Sequence, residues 1–469
     1  MPQKRRPLQG RAVGWSRDPG ATLRWPPATL EQAFSLQSCP RPRSCTQTAL
    51  RFACFFACGI AILACHAPTA WAQVAVRGER VYTAAGPAIH DGVVVIENGK
   101  ITAVGPASEV AIPEGVKVFN AKVVTPGFVD AHSTIGVSGI LNYAHDQDQL
   151  EHSAPMQPQL RALDAYNCRE ALVAYARGFG VTTVHTGHAP GELISGQTIV
   201  VKTFGNTVDD ALVLDSATIA ATLDQSARKT EKGKSPGTRG KMMALMRQEL
   251  IKAKEYLRKR AAADEKENDG NSDDDERDKK PTARDLELEA LGRLLDKEVP
   301  LMITANRAQD IANALRLKRE FDLRLILDGA AESYLLVNEI KKLGVGVFIH
   351  PSMARSFGGM KNMSFETAAT LVHAGIAVGL QSGYESYVPK TRVLVFEAGI
   401  AAANGLTFDE ALATITVTPA RILGVDRRVG SLEVGKDGDV ALFDGDPFEY
   451  TTHCIAVIGE GVVVSNTPQ

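Results

Sequence analysis

Short apolar runs divide this chain into three textures. Near the front of the patterned region, Val76–Tyr82, Gly92–Gly99 and Lys100–Gly105 are strand-like and separated by turns. The Asn98-Gly99 step predicts a hairpin, because both residue types tolerate the positive φ of a type I′ turn. The far end, Gly430–Ser465, has the same texture, with Val440–Phe443 and Val457–Ser465 broken by Gly and Asp. Between these ends, continuous apolar runs at Val181–Val184, Ile199–Lys202, Leu301–Ile303, Leu323–Leu327, Val345–Ile349 and Ile376–Gly379 alternate with helically spaced segments at Ile311–Phe321, Ser333–Leu343 and Phe365–Ala374. Strands apolar on both faces predict a parallel sheet covered by helices. Roughly seven or eight such units fit an α/β fold, a (β/α)8 TIM-like barrel. The two β-rich ends predict one small composite β-sandwich domain, from 73–125 plus 425–469, with the barrel over 126–424.

Two stretches fall outside this rhythm. Residues 241–260 carry a basic amphipathic helix pattern, and the acidic run Asp264–Glu276 after it has too little apolar content to bury a core. A charged, flexible insert is expected near 261–283. Ahead of the first strand, Arg41, Arg43 and Arg51 precede the apolar stretch Phe52–Ala64 and then Ala70-Trp71-Ala72. That order of charged, apolar and small residues predicts a secretory signal within 1–72, cleaved after Ala72. The Pro/Arg-rich stretch upstream of it suggests a start codon further downstream. A lipoprotein signal ending at Cys65 is the competing reading.

Charge and cysteines are unevenly placed. The chain has 469 residues and a net charge of -2, which gives no electrostatic reason to expect nucleic acid. Residues 1–72 hold nine Lys+Arg against two Asp+Glu, which leaves the remainder at -9. Cys39, Cys45, Cys54, Cys58 and Cys65 fall in that segment, so only Cys168 and Cys454 would survive cleavage, too few for a disulfide framework. No membrane span is expected after signal removal.

Three blocks carry a family resemblance. Val124–His132, reading VTPGFVDAH, resembles the first barrel strand of the amidohydrolase superfamily, where PGFID-x-H-x-H supplies two metal ligands. Thr416–Gly424 resembles its T-x-x-PA-x-x-LG helix, and Gly430–Leu442 resembles its G-x-L-x-x-GK-x-ADL return into the small sheet. The blocks occur in the expected order across residues 76–465, closest to imidazolonepropionase-like and other periplasmic amidohydrolases. The resemblance implies hydrolysis of non-peptide C–N bonds in cyclic or linear amides. It also implies a barrel-mouth divalent metal such as zinc that activates water, a small-molecule partner and, as a weaker expectation, a homodimer.

At the ligand positions the sequence departs from that pattern. His132 matches the first histidine and is the one candidate metal ligand, but Thr134 stands at the second. Thr304 and Asn306 occupy the histidine positions of an H-A-H-R-like block, and Gly329 occupies the next. Gln381 replaces the general-base aspartate, and a carboxamide accepts no proton near neutral pH. Other groups near strand ends are pocket candidates: His185, His188, His350, Glu385 and Lys202. Some relatives bridge two metals with a modified lysine, but that lysine accompanies the full histidine set, so Lys202 is expected in a structural or pocket-lining role. Two functions follow. One is a C–N hydrolase with a reduced or relocated site. The other is a non-catalytic exported protein that binds a small molecule on the same scaffold.

Overall fold

In a computed structural model of the protein, the described residues are 73–469 apart from 142, 230, 232, 269–282, 354, 355, 357 and 385–392. The expected signal segment and Glu385 lie outside them. The first strands are β1 (Val74–Val81), β2 (Ile89–Glu97), β3 (Lys100–Pro106) and β4 (Lys117–Pro126). β2 turns into β3 through Asn98 and Gly99 at φ of 52° and 78°, the left-handed pair that a type I′ turn needs. The middle of the chain forms β5 (Phe128–Ser133), β6 (Val181–Thr186), β7 (Ile194–Gln197), β8 (Ile199–Lys202), β9 (Leu212–Leu214) and β10 (Ile219–Thr222). It continues through β11 (Leu301–Ala305), β12 (Leu325–Gly329), β13 (Gly346–Ile349) and β14 (Val378–Leu380). The end supplies β15 (Val440–Phe443), β16 (Cys454–Gly459) and β17 (Val462–Ser465).

Strands from the two ends share one seven-stranded sheet, in the order β17-β16-β15-β4-β1-β2-β3. The join is antiparallel, with Leu442 of β15 opposite Val124 of β4. Val76, Val94, Ile96, Val124, Leu442 and Ile458 form its core.

The α/β middle follows its apolar pattern with one correction. β10 to β14 form a continuous parallel ladder, and helices at Ala308–Phe321, Val337–Lys342 and Thr367–His373 connect β11 to β14. β5 and β6 are parallel to each other, and Ser133 bridges to Gly383 just past β14. The run Ile199–Lys202 is not another parallel barrel strand. It returns antiparallel to β6, with His185 opposite Val200, while β7 runs antiparallel to β10. Gly187, Gly191 and Gly196, at φ of 151°, 152° and 138°, permit that reversal, since side-chain-bearing residues rarely adopt such values. Among the described residues the ladders form two sheets and do not close into one ring.

Ala131, Val200, Ala220, Met302, Ile326 and Phe348 meet in one apolar cluster. Ala420 and Leu423 join it from the helix Val417–Leu423, which ends at Gly424 with φ 74°. Side chains alternate across a strand. One step further along, Thr304, Asp328 and His350 therefore lie over Met302, Ile326 and Phe348. This layer holds the polar site.

The amphipathic pattern at 241–260 becomes a helix spanning Arg239–Asn268, whose Met242, Met246 and Leu250 join the core with Leu291 and Leu294. That helix runs on into the first residues of the expected charged insert, as far as Asn268, and 269–282 lie outside the described residues.

Lys202 is buried at the other end of β8. Its Nζ donates to Asp437 at 2.8 Å and Asp439 at 2.5 Å, on the segment entering β15. Burial alone would lower this amine, but the two carboxylates outweigh it and raise it. Asp437 also accepts from Lys100 at 2.5 Å and Arg428 at 3.1 Å. Lys202→Met should cost about 3 kcal/mol, because it leaves buried carboxylates short of a partner. Urea denaturation would read this loss, and a midpoint unchanged from the parent would refute it.

Candidate functional site

Asp328 organises the polar layer. Its Oδ1 accepts from His132 Nδ1 at 3.0 Å and Gln381 Nε2 at 2.9 Å, and its Oδ2 accepts from Thr304 Oγ1 at 2.6 Å. Burial would push this carboxyl up, but the electrostatic pull of His132 and the three hydrogen bonds reverse that and hold it below the ordinary value. Next to it, Asp130 accepts from the backbone N–H groups of His132 at 3.3 Å and Ser382 at 3.0 Å, and from the Ser382 hydroxyl. Here burial wins, and the carboxyl is pushed up to about 6. Two aspartates in one layer are thus driven in opposite directions by the donors each receives.

The histidines divide by their partners. The His185 ring donates from Nδ1 to the Ala131 carbonyl at 2.6 Å, and its Nε2 accepts from Thr198 Oγ1 at 2.7 Å. Burial, reinforced by His132, pushes it down to about 3. Burial also pushes His188 down to about 4, against the opposing pull of the Leu160 carbonyl. His350 donates from Nδ1 to the Pro351 carbonyl at 3.0 Å. The His132 ring lies 5.4 Å from His185 and 5.3 Å from Tyr384, and Tyr384 lies 6.0 Å from His350. Buried His132 Nε2 makes no hydrogen bond.

The sequence candidates therefore separate. His132, Thr304 and Gln381 meet on Asp328, while His185 and His350 stand around them. Thr134 turns aside and accepts from Ser138 Oγ at 3.0 Å. Asn306 donates from Nδ2 to Asp224 Oδ2 at 3.0 Å. Gly329 brings no group to the site. It has φ 74°, and a Cβ there would lie 2.7 Å from Asn306 Oδ1. Lys202 is committed to Asp437 and Asp439, away from this group. Asp130, Asp224, Asp328, Thr198 and Tyr384 were missed. Asp328 was within reach, since it follows Ile326 by two positions and shares its face.

A hydrolytic zinc needs several imidazoles or carboxylates converging at roughly 2 Å. The residues present do not fit that group. All three donors around Asp328 are already committed to it, both His185 nitrogens are engaged, and Gly329 has no side chain. Among the described residues, no three His, Cys, Asp or Glu side chains are arranged to hold one metal ion. Gly329→His should not restore such a centre. The left-handed backbone and the Asn306 contact should instead cost roughly 2 kcal/mol or more, read as a lower melting temperature with no gain in bound zinc. A gain of stoichiometric zinc would refute this.

Comparison with known proteins places this arrangement. The amidohydrolase family profile matches residues 164–465. The chain is 26% identical to amidohydrolase tasK of Hapsidospora irregularis over 76% of its own length, although it spans only 38% of that protein. It is 23% identical to an imidazolonepropionase of Streptococcus pyogenes, covering 78% of this chain and 87% of that one. The crystal structure of an amidohydrolase from Thermotoga maritima superposes with a TM-score of 0.77 at 27% identity, over 84% of this chain and all of that one. A barrel-like strand order, the PGFVDAH motif that carries His132 on β5 and these matches agree that the chain belongs to the amidohydrolase family, on its imidazolonepropionase-like side.

Proposed function

We propose that this protein binds small cyclic or linear amides at the barrel mouth and lacks the family's metal-activated water. The observation that carries this reading is the commitment of Asp328. The carboxylate facing His132 already accepts three of the roughly four hydrogen bonds open to it, from side chains that would have to give way before it ligated a cation. The layer then serves as a recognition surface, with His132, Thr304 and Gln381 locked in place by one shared acceptor.

A second reading, slow hydrolysis of a C–N bond without metal, is favoured by one feature. The Nδ1 of His132 is held by a carboxylate while its Nε2 makes no hydrogen bond. A neutral imidazole so oriented can take a proton from water. An amide panel followed by thermal shift and product analysis, with and without chelator, separates the readings. Binding without turnover supports the first. Chelator-insensitive turnover lost in His132→Ala supports the second, and chelator-sensitive turnover contradicts both.

Export to the periplasm belongs to the same proposal and rests on the order of residues in 41–72. Among the described residues, no helix is long and apolar enough to cross a membrane. A homodimer is carried over from the resemblance.

A further inference from the structure

Three buried atoms around the Asp328 layer make no hydrogen bond: His132 Nε2, Gln381 Oε1 and Asn306 Oδ1. The chemical sense of the two oxygens is fixed by what holds the other end of each side chain. Gln381 turns its amide nitrogen to the Asp328 carboxylate and, at 3.4 Å, to the Phe348 carbonyl, both pure acceptors. Its oxygen must therefore be the outward atom. Asn306 turns its nitrogen to Asp224, which fixes Oδ1 in the same way. His132 holds Nδ1 against Asp328, which leaves Nε2 as its outward nitrogen. The two outward oxygens, of Gln381 and Asn306, are acceptors.

Charge points the same way. Asp130, Asp224 and Asp328 are buried in or beside this layer. Lys202 is the only buried lysine or arginine among the described residues, and it is bound to Asp437 and Asp439. Buried acceptors cost stability unless a donor meets them, and the negative charge of three buried aspartates with no buried lysine or arginine among them favours a cationic ligand even where their oxygens already accept hydrogen bonds. The aromatic rings of His132 and Tyr384, 5.3 Å apart, add a surface suited to a planar cation.

Resting on the reading of this site as a small-molecule site, we infer that its ligand presents N–H donors and positive charge, as an amidine or guanidine group does. A neutral amide can turn its N–H donors to the same oxygens but brings no positive charge, so among small ligands of this shape it binds more weakly. A carboxylate fits least, because it offers acceptors and negative charge only.

Acetamidine, acetamide and acetate have the same heavy-atom shape and differ only in these properties. Calorimetric titration of the chelator-treated full protein should rank them in that order. Acetamidine should bind at least about tenfold more tightly than acetamide. Gln381→Met and Asn306→Leu should each weaken acetamidine by about tenfold. Gln381→Met keeps two donors on Asp328 and serves if the other variant fails to fold. Equal or tighter binding of acetate, no binding of acetamidine, or indifference to a folded variant would overturn the inference. Zinc or magnesium alone titrating to one equivalent and displacing acetamidine would also overturn it, by giving the acceptors to an inorganic cation. A parallel titration with cyclic amides tests the parent reading separately. Amide binding lost in His132→Ala, alongside silent acetamidine, removes the ligand class and leaves that reading standing.

Discussion

Asp328→Leu should destabilise the protein by on the order of 5 kcal/mol, a larger loss than that of Lys202→Met or Gly329→His. The substitution roughly preserves volume but removes the common acceptor of His132, Thr304 and Gln381. Three buried donors then have no partner, and each such orphan costs about 1–3 kcal/mol. Removing a buried charge returns part of that. Asp328→Asn should cost under half as much, since its oxygen can still accept from His132 and Gln381 while Thr304 switches to accepting. Chemical denaturation of both variants reads the difference. Equal stability of the leucine variant and the parent would mean that the three donors are not held by this carboxylate.

Acid should destabilise the native state well above the range where ordinary carboxylates titrate. His185 and His188 are pushed down to about 3 and about 4 when folded, whereas an unfolded histidine takes up its proton near about 6.5. Below that pH the unfolded chain binds more protons, so stability is full above about 6.5 and falls with pH. Asp130 acts in the opposite sense. Its folded carboxyl, at about 6, keeps a proton that the unfolded chain releases down to about 4, so acidification returns stability there. At roughly 1.4 kcal/mol per unit, two histidines against one aspartate leave a net loss of roughly 4 kcal/mol between about pH 6.5 and 4. Asp328, held below its ordinary value, adds to the loss at still lower pH. The melting temperature should therefore drop steeply across this window, and less steeply in His188→Leu. A flat or rising profile would show that the histidines are solvated or charged in the native state.

Local chemistry made much of the fold legible in advance. The Asn98-Gly99 turn, the parallel runs from Leu301 to Leu380 and the Thr416–Gly424 block depend on short-range rules of φ preference, period and capping, and the structure bears them out. The direction of Ile199–Lys202 was not legible. An apolar run reads the same whether its neighbour is parallel or antiparallel, and the glycines that reverse the chain also suit an ordinary loop.

The candidate site was half legible for a similar reason. Motif positions identified His132, Thr304 and Asn306 where metal ligands are expected and Gln381 where the general base is expected. They could not show that Asp328, one residue before the vacant Gly329 position, gathers His132, Thr304 and Gln381. That depends on which face of β12 points inward and on contacts between strands far apart in sequence. For Lys202 a structural and a pocket-lining role read alike, because a lysine at a strand end looks the same at either end of a barrel, and its pairing with Asp437 and Asp439 is of the structural kind.

Elemental analysis bears most directly on whether this family member has given up its metal. Protein expressed with added zinc and purified without chelator should carry well under one metal per chain, and His132→Ala should leave that content unchanged. One tightly held equivalent, lost on that substitution, would mean that His132 anchors a working metal centre and that the Asp328 layer gives way to it.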